Sequence, residues 1–185
     1  MTRDRSFPAF ILRSREQGDS NRMVTLLSGD GLLDALVYGG PNSRLRYLAQ
    51  PYHFGRAWVY HDPVKDWYKL SDFDAQETFP GLRSSLSAGL AASVLSELLL
   101  RTRASGGDYQ DVLTLVHASF SALDSGGNSL ARELLCSFIW AFSRISGSAP
   151  DARTCARCGC PLSGAEAFYS LHEGSFVCSG CLNPS

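Results

Sequence analysis

Two C-x-x-C pairs close the chain, Cys155-Ala156-Arg157-Cys158 and Cys178-Ser179-Gly180-Cys181, with nineteen residues between them. This spacing constrains the fold more than any other feature. Each pair puts two sulfurs on one tight turn, and two such turns aimed at one centre make a four-thiolate metal site. Gly159, directly after Cys158, supplies the left-handed backbone such a turn needs. A redox C-x-x-C belongs at a strand–turn–helix junction, and nothing before Cys155 reads as that strand. Zinc is the expected ion; an iron–sulfur centre also accepts four cysteines. Four cysteines fill a zinc shell and leave no position for water, so the expected role is structural. Between the pairs, His172 reads as a surface residue of an Ala165–Val177 hairpin, and Cys160, two residues after Cys158, stands as the lesser alternative to the outer pairs.

Upstream, the pattern divides the chain. Five apolar runs, Phe7–Leu12, Met23–Ser28, Leu32–Tyr38, Phe54–Tyr60 and Asp66–Phe73, read as strands separated by turn residues. In the last, Trp67, Lys69 and Phe73 are expected on one face, against Tyr68 and Leu70 on the other. Pro41–Gln50 lacks strand pattern and has room for a short helix. Five strands with a helical insert after the third suggest a closed OB-like β-barrel. From Leu82 the period lengthens to near 3.6. Leu86, Leu90, Val94 and Leu98 fall every fourth residue after an N-cap at Ser84 or Ser85, and this stripe is expected to pack on Phe138 and Phe142. Asp108 caps a second helix, and Asn128 or Ser129 starts a third, which ends at Gly147 and is expected to bury Cys136. The expected class is α+β: a barrel over 1–80, a helical bundle over 81–150, and a zinc-ribbon-like module over 151–185 packed on or inserted in the helical domain.

Charge and compartment follow from composition. Net charge is −1, with eight Lys/Arg against five Asp/Glu in residues 1–60 and two against five in 61–80. That is a mildly basic front beside an acidic strip. Met1–Pro8 has no apolar signal core, and no run reaches the eighteen or so residues of a membrane span. Six cysteines, four in metal spacing, fit a reducing compartment. A cytoplasmic protein with no membrane partner is expected. Histidines at 53, 61, 117 and 172 form no recognisable triad, and no H-E-x-x-H, G-x-S-x-G or phosphate loop occurs, so no enzyme is expected.

Local motifs then point to a family. Asp19-Ser20-Asn21-Arg22 leading through Met23–Ser28 to Gly29-Asp30-Gly31-Leu32, the stretch Gly39-Gly40 … Ser43-Arg44-Leu45-Arg46 … Gln50-Pro51-Tyr52, and Glu97-Leu98-Leu99 together resemble the RecO family of bacterial recombination mediators, in order and spacing, over nearly the whole chain. The resemblance implies an OB-fold, a helical domain with a zinc-ribbon-like insertion, and binding and annealing of single-stranded DNA. It also implies partnership with RecR and with the acidic C-terminal tail of single-stranded DNA-binding protein in loading a recombinase. Expected DNA contacts are Arg44 and Arg46, then Arg13, Arg15, Arg22 and Arg56, with Tyr47 as a stacking platform. Two departures are visible. The loop Gly40-Pro41-Asn42 is short and uncharged where the family carries several basic residues, and the chain stops four residues after Cys181 where family members continue with further helices. The first weakens the electrostatic contribution to DNA affinity and favours, as the alternative, a protein-interaction adaptor of the same fold.

Overall fold

Four consecutive residues of the first strand, Ala9 to Leu12, are almost wholly buried, and the reason sets the architecture. Successive side chains of a strand point to opposite faces, so such a run requires cover on both. In the computed structural model, which describes residues 4–18, 21–40, 43–126, 130–164 and 166–182, β1 (Asp4–Gln17) has that cover. Ala9 and Ile11 point into a barrel, whereas Phe10 and Leu12 point outward into a layer of helices.

The barrel is completed by β2 (Asn21–Ser28), β3 (Gly31–Val37), β4 (Phe54–Asp62) and β5 (Trp67–Glu77), with α1 (Arg44–Leu48) between β3 and β4. It closes in the order β1-β2-β3-β5-β4. Among the described residues its ladders are antiparallel except β3 with β5, which is parallel. This is the five-stranded OB-like barrel expected from the pattern, with the helical insert where strand pattern fails. Val24, Leu26, Ala35, Val37, Ala57, Val59, Leu70 and Phe73 fill the interior. Phe73 corrects the strict alternation expected for β5. Trp58 pairs with Asp72 but Val59 with Leu70, so Ser71 is the extra residue of a bulge. The bulge shifts the phase by one, which sends Phe73 inward with Leu70 instead of outward with Trp67 and Lys69.

The outer face of β1 and β2 carries the helices α2 (Gly81–Ser84), α3 (Leu86–Thr102), α4 (Tyr109–Gly126) and α5 (Ala131–Ile145). Phe10 is the hub of the junction, its ring 4.7 Å from Phe54, 5.4 Å from Phe120 and 6.0 Å from Phe79. Ser85 caps α3 by accepting from Ala88 N–H, and Asp108 accepts from Gln110 N–H at the start of α4. The expected cap of α5 at Asn128 or Ser129 lies outside the described residues.

Two packing expectations for the helices are overturned. Of the expected stripe, Leu86, Leu90 and Val94 are exposed, at 78%, 58% and 47%, and only Leu98 is partly buried against the core. The buried face of α3 is Ala88, Ala91, Ala92, Leu95 and Leu99, rotated away from it. Alanines permit close approach of neighbouring helices, so the contact runs along the small residues with Leu95 and Leu99 as its large members. Phe138 and Phe142 are buried as expected and stack at 6.0 Å. Cys136 is exposed, because α5 turns Phe138 and Phe142 inward and leaves Cys136 on its outer side.

The chain divides into two compact units, one reaching to Gly147 and the other beginning at Ser148. The second holds the hairpin β6 (Ala167–Ser170) and β7 (Ser175–Cys178), followed by the single turn α6 (Ser179–Leu182). Its apolar core is small: Leu162, Val177 and Cys155, flanked by Phe168 and Phe176.

Candidate metal centre and nucleic-acid interface

The first C-x-x-C folds into a closed loop. Cys155 N–H donates to Cys160 O at 2.9 Å and Gly159 N–H to Cys155 O at 2.9 Å, with Gly159 at φ +72°. Thr154 and Pro161 form a β-bridge that pins both ends. The second pair straddles the junction of β7 and α6, which returns Cys178 to the loop: Cys178 N–H donates to Cys155 Sγ at 3.3 Å, and Cys158 and Cys178 sulfurs lie 3.7 Å apart.

The sulfurs of Cys155, Cys158, Cys160 and Cys178 all lie within 4.8 Å of one another. Cys181 is outside that quartet, yet it packs against the same small core around Cys155, beside Cys160 and Cys178. The structure therefore gathers five thiols, the four expected ones and Cys160. The signal for the fifth is the C-x-C step Cys158-Gly159-Cys160, since one glycine in a left-handed turn folds the next thiol back onto the centre.

The donor set fits a soft dication. Backbone N–H groups, that of Cys158 foremost, hold the Cys155 thiol down to about 6. Cys160 is pushed up to about 12 by the thiols of Cys158 and Cys178, and Cys181 likewise to about 12 by Cys178 and Cys158. Sulfurs this close cannot all carry charge without a cation among them, and thiolates are the ligands that zinc and iron–sulfur centres select. Arg157, one of two arginines near the cluster in sequence, donates to Glu173 at 3.1 Å and to Cys181 O at 2.7 Å, tying the first loop to α6.

On the barrel, the expected DNA contacts fall into separate groups. Arg46 donates to both carboxylate oxygens of Glu16, at 2.7 and 2.6 Å, and Arg22 to Glu16 Oε1 at 3.0 and 3.1 Å. One carboxylate thus serves two guanidiniums, and it is held below its ordinary range, first by the hydrogen bond from Arg22. Because α1 is helical, Arg44 and Arg46 point about 160° apart, and Arg44 is exposed rather than turned to Glu16. Tyr47 is 76% exposed on the same helix. Arg13 and Arg15 are exposed on β1, and Arg56 is exposed on β4 opposite Asp74. The expected loop Gly40-Pro41-Asn42 lies, beyond Gly40, outside the described residues.

A second group escaped the sequence reading. Tyr38, Tyr60, Trp67, Lys69, Ser71 and Asp4 line an open groove of about 560 Å³ on the outside of the barrel. Strand pairing assembles it: Asp4 faces Tyr60 across β1–β4, Tyr60 faces Lys69 across β4–β5, and the parallel β3 brings Tyr38 alongside. The Tyr38 and Trp67 rings meet at 5.8 Å and 65°, and Lys69 Nζ sits 5.4 Å from the Tyr38 centroid. In the sequence only the Trp67–Lys69 alternation hints at it; the other residues come from strands far apart.

No described helix is long and apolar enough to cross a membrane. Comparison with known proteins accounts for both units. Residues 1–79 match the profile described as Recombination protein O N terminal, and residues 83–185 that described as Recombination protein O C terminal. Among curated relatives, the DNA repair protein RecO of Desulfitobacterium hafniense (strain DSM 10664 / DCB-2) is 28% identical over 94% of this chain and 63% of its own length. That of Anaeromyxobacter sp. (strain K) is 30% identical over 92% and 68%, and that of Synechococcus sp. (strain JA-3-3Ab) 24% identical over 92% and 60%. The chain thus spans somewhat under two thirds of the length of the first of these relatives. With the barrel matching one profile, and the helices and cysteine module the other, the chain belongs to the recombination protein O family.

Proposed function

We propose that this protein is a non-enzymatic mediator of DNA repair and homologous recombination that binds and anneals single-stranded DNA on its barrel, in the cytoplasm. The names of its relatives support the repair role. The motif resemblance supports RecR and the acidic tail of single-stranded DNA-binding protein as partners in loading a recombinase, and zinc as the ion of the cysteine centre. The observation that carries the DNA reading is the aromatic groove with its lysine. Single strands bind where bases stack on aromatic rings and cations meet the phosphates; Tyr38, Trp67 and Tyr60 supply the rings, and Lys69 supplies one cation beside Asp4. Arg44, Arg13, Arg15 and Arg56 extend the positive surface. Arg22 and Arg46 contribute less, because Glu16 balances part of their charge.

The test is anisotropy of a labelled oligothymidine at low and moderate salt. Each lost stack costs about 1–3 kcal/mol, so Tyr38→Ala and Trp67→Ala should each weaken binding about 5- to 150-fold with little change in salt slope. Lys69→Gln should flatten that slope by about 0.7. Absence of binding by the unaltered protein at low salt would replace the mediator with the adaptor of the same fold. Binding indifferent to the groove variants would move the site to Arg13, Arg15, Arg44 and Arg56.

A further inference from the structure

Five thiols stand around a centre that takes four. Cys155, Cys158 and Cys178 lie in the close quartet with Cys160, and Cys181 packs against the same small core as Cys160 and Cys178. Cys160 and Cys181 therefore compete for one place beside a common trio. Each is fastened to the first loop by its own backbone contact: Cys160 O accepts Cys155 N–H at 2.9 Å, and Cys181 O accepts the Arg157 guanidinium at 2.7 Å. Neither tether depends on the other, so neither candidate excludes the other from the site. A tetrahedral thiolate ion has no fifth position to give.

Building on the zinc reading, we propose that Cys155, Cys158 and Cys178 are fixed ligands and that the fourth position is shared by Cys160 and Cys181, which exchange. In the exchange the incoming thiol gives up its proton and the departing thiolate takes one, so coordination number and charge are unchanged. The centre would then keep its metal after loss of either shared thiol, whereas loss of a trio member has no substitute.

The unaltered chain gives the first test. Zinc content is measured, and the zinc-loaded protein is treated briefly with iodoacetamide and mapped by mass spectrometry. Beyond the exposed Cys136, about one thiol per chain should react, divided between Cys160 and Cys181 in different molecules. Labelling confined to one of the two would overturn the exchange while leaving the metal reading intact; protein purified without metal would overturn the metal reading itself. The second test replaces zinc with cobalt(II). Cys160→Ser and Cys181→Ser should each keep the intense charge-transfer bands of four thiolates and stay within roughly tenfold of the unaltered protein in chelator competition. The double variant should show a three-thiolate spectrum and bind more than about 100-fold more weakly, since loss of a mere outer partner already costs roughly 10–100-fold. A three-thiolate spectrum in either single variant would refute sharing.

Discussion

Leu90 and Leu95 are the same residue on the same helix, and the structure assigns them opposite environments: 58% exposed and fully buried. Truncating Leu95 to alanine removes three carbons from a closed core, about 2.4 kcal/mol at roughly 0.8 kcal/mol per carbon. A cavity contribution brings the cost to about 3–4 kcal/mol. Leu90 keeps more than half its surface in water, so about two fifths of the transfer energy is at stake, roughly 1 kcal/mol, and no closed cavity forms. The higher helix propensity of alanine returns about 0.2 kcal/mol, leaving under about 1. Thermal unfolding followed by tryptophan fluorescence suits the comparison, because Trp58, Trp67 and Trp140 all lie in the barrel–helix unit and none in the cysteine unit. At about 2–4 °C per kcal/mol, Leu95→Ala should lower Tm by about 6–16 °C and Leu90→Ala by less than about 4 °C. Equal losses, or the larger at Leu90, would refute the assigned rotation of α3 and restore the every-fourth-residue stripe as its core face.

Glu16→Gln should remove the shared carboxylate from Arg22 and Arg46, tighten single-strand binding at low salt and steepen the salt slope by up to about 1.4; an unchanged slope would place both arginines away from the DNA. The same pairing gives a pH signature. Glu16 titrates below its ordinary value in the fold, so its stabilisation is present above the unfolded carboxylate range and lost as pH falls through the folded value, and Glu16→Gln should abolish that part of the acid limb in pH-dependent urea titrations. His53 is buried, with Nδ1 2.8 Å from Leu48 O, and burial is the first cause lowering its pKa from 6.5. The unfolded chain therefore takes up a proton first, and stability should decline as pH falls from about 6.5 toward the lower folded value. His53→Gln should flatten that stretch, and an unaltered profile would argue against a neutral buried imidazole. Chelation of the metal, or Cys158→Ser, should unfold residues 152–182, seen as loss of their dispersed NMR signals, while tryptophan fluorescence stays unchanged.

What the sequence by itself determined was what local rules decide. Strand and helix periods placed the five barrel strands, a helical insert within Pro41–Gln50 and caps at Ser84 or Ser85 and at Asp108, because period and capping are properties of neighbouring residues; the structure narrows the insert to Arg44–Leu48 and the first cap to Ser85. Cysteine spacing announced the centre for the same reason. Tertiary structure alone decided which face of α3 is buried: the large residues at every fourth position proposed one seam, and the smaller alanines won it by admitting neighbouring helices closely. It also decided the bulge at Ser71 that turns Phe73 inward. The groove of Tyr38, Tyr60 and Trp67 depends on strand neighbours, and the cluster depends on the return of Cys178 to the loop that carries Cys155, Cys158 and Cys160. Both arise from three-dimensional adjacency between segments, and that is the quantity a one-dimensional period does not contain.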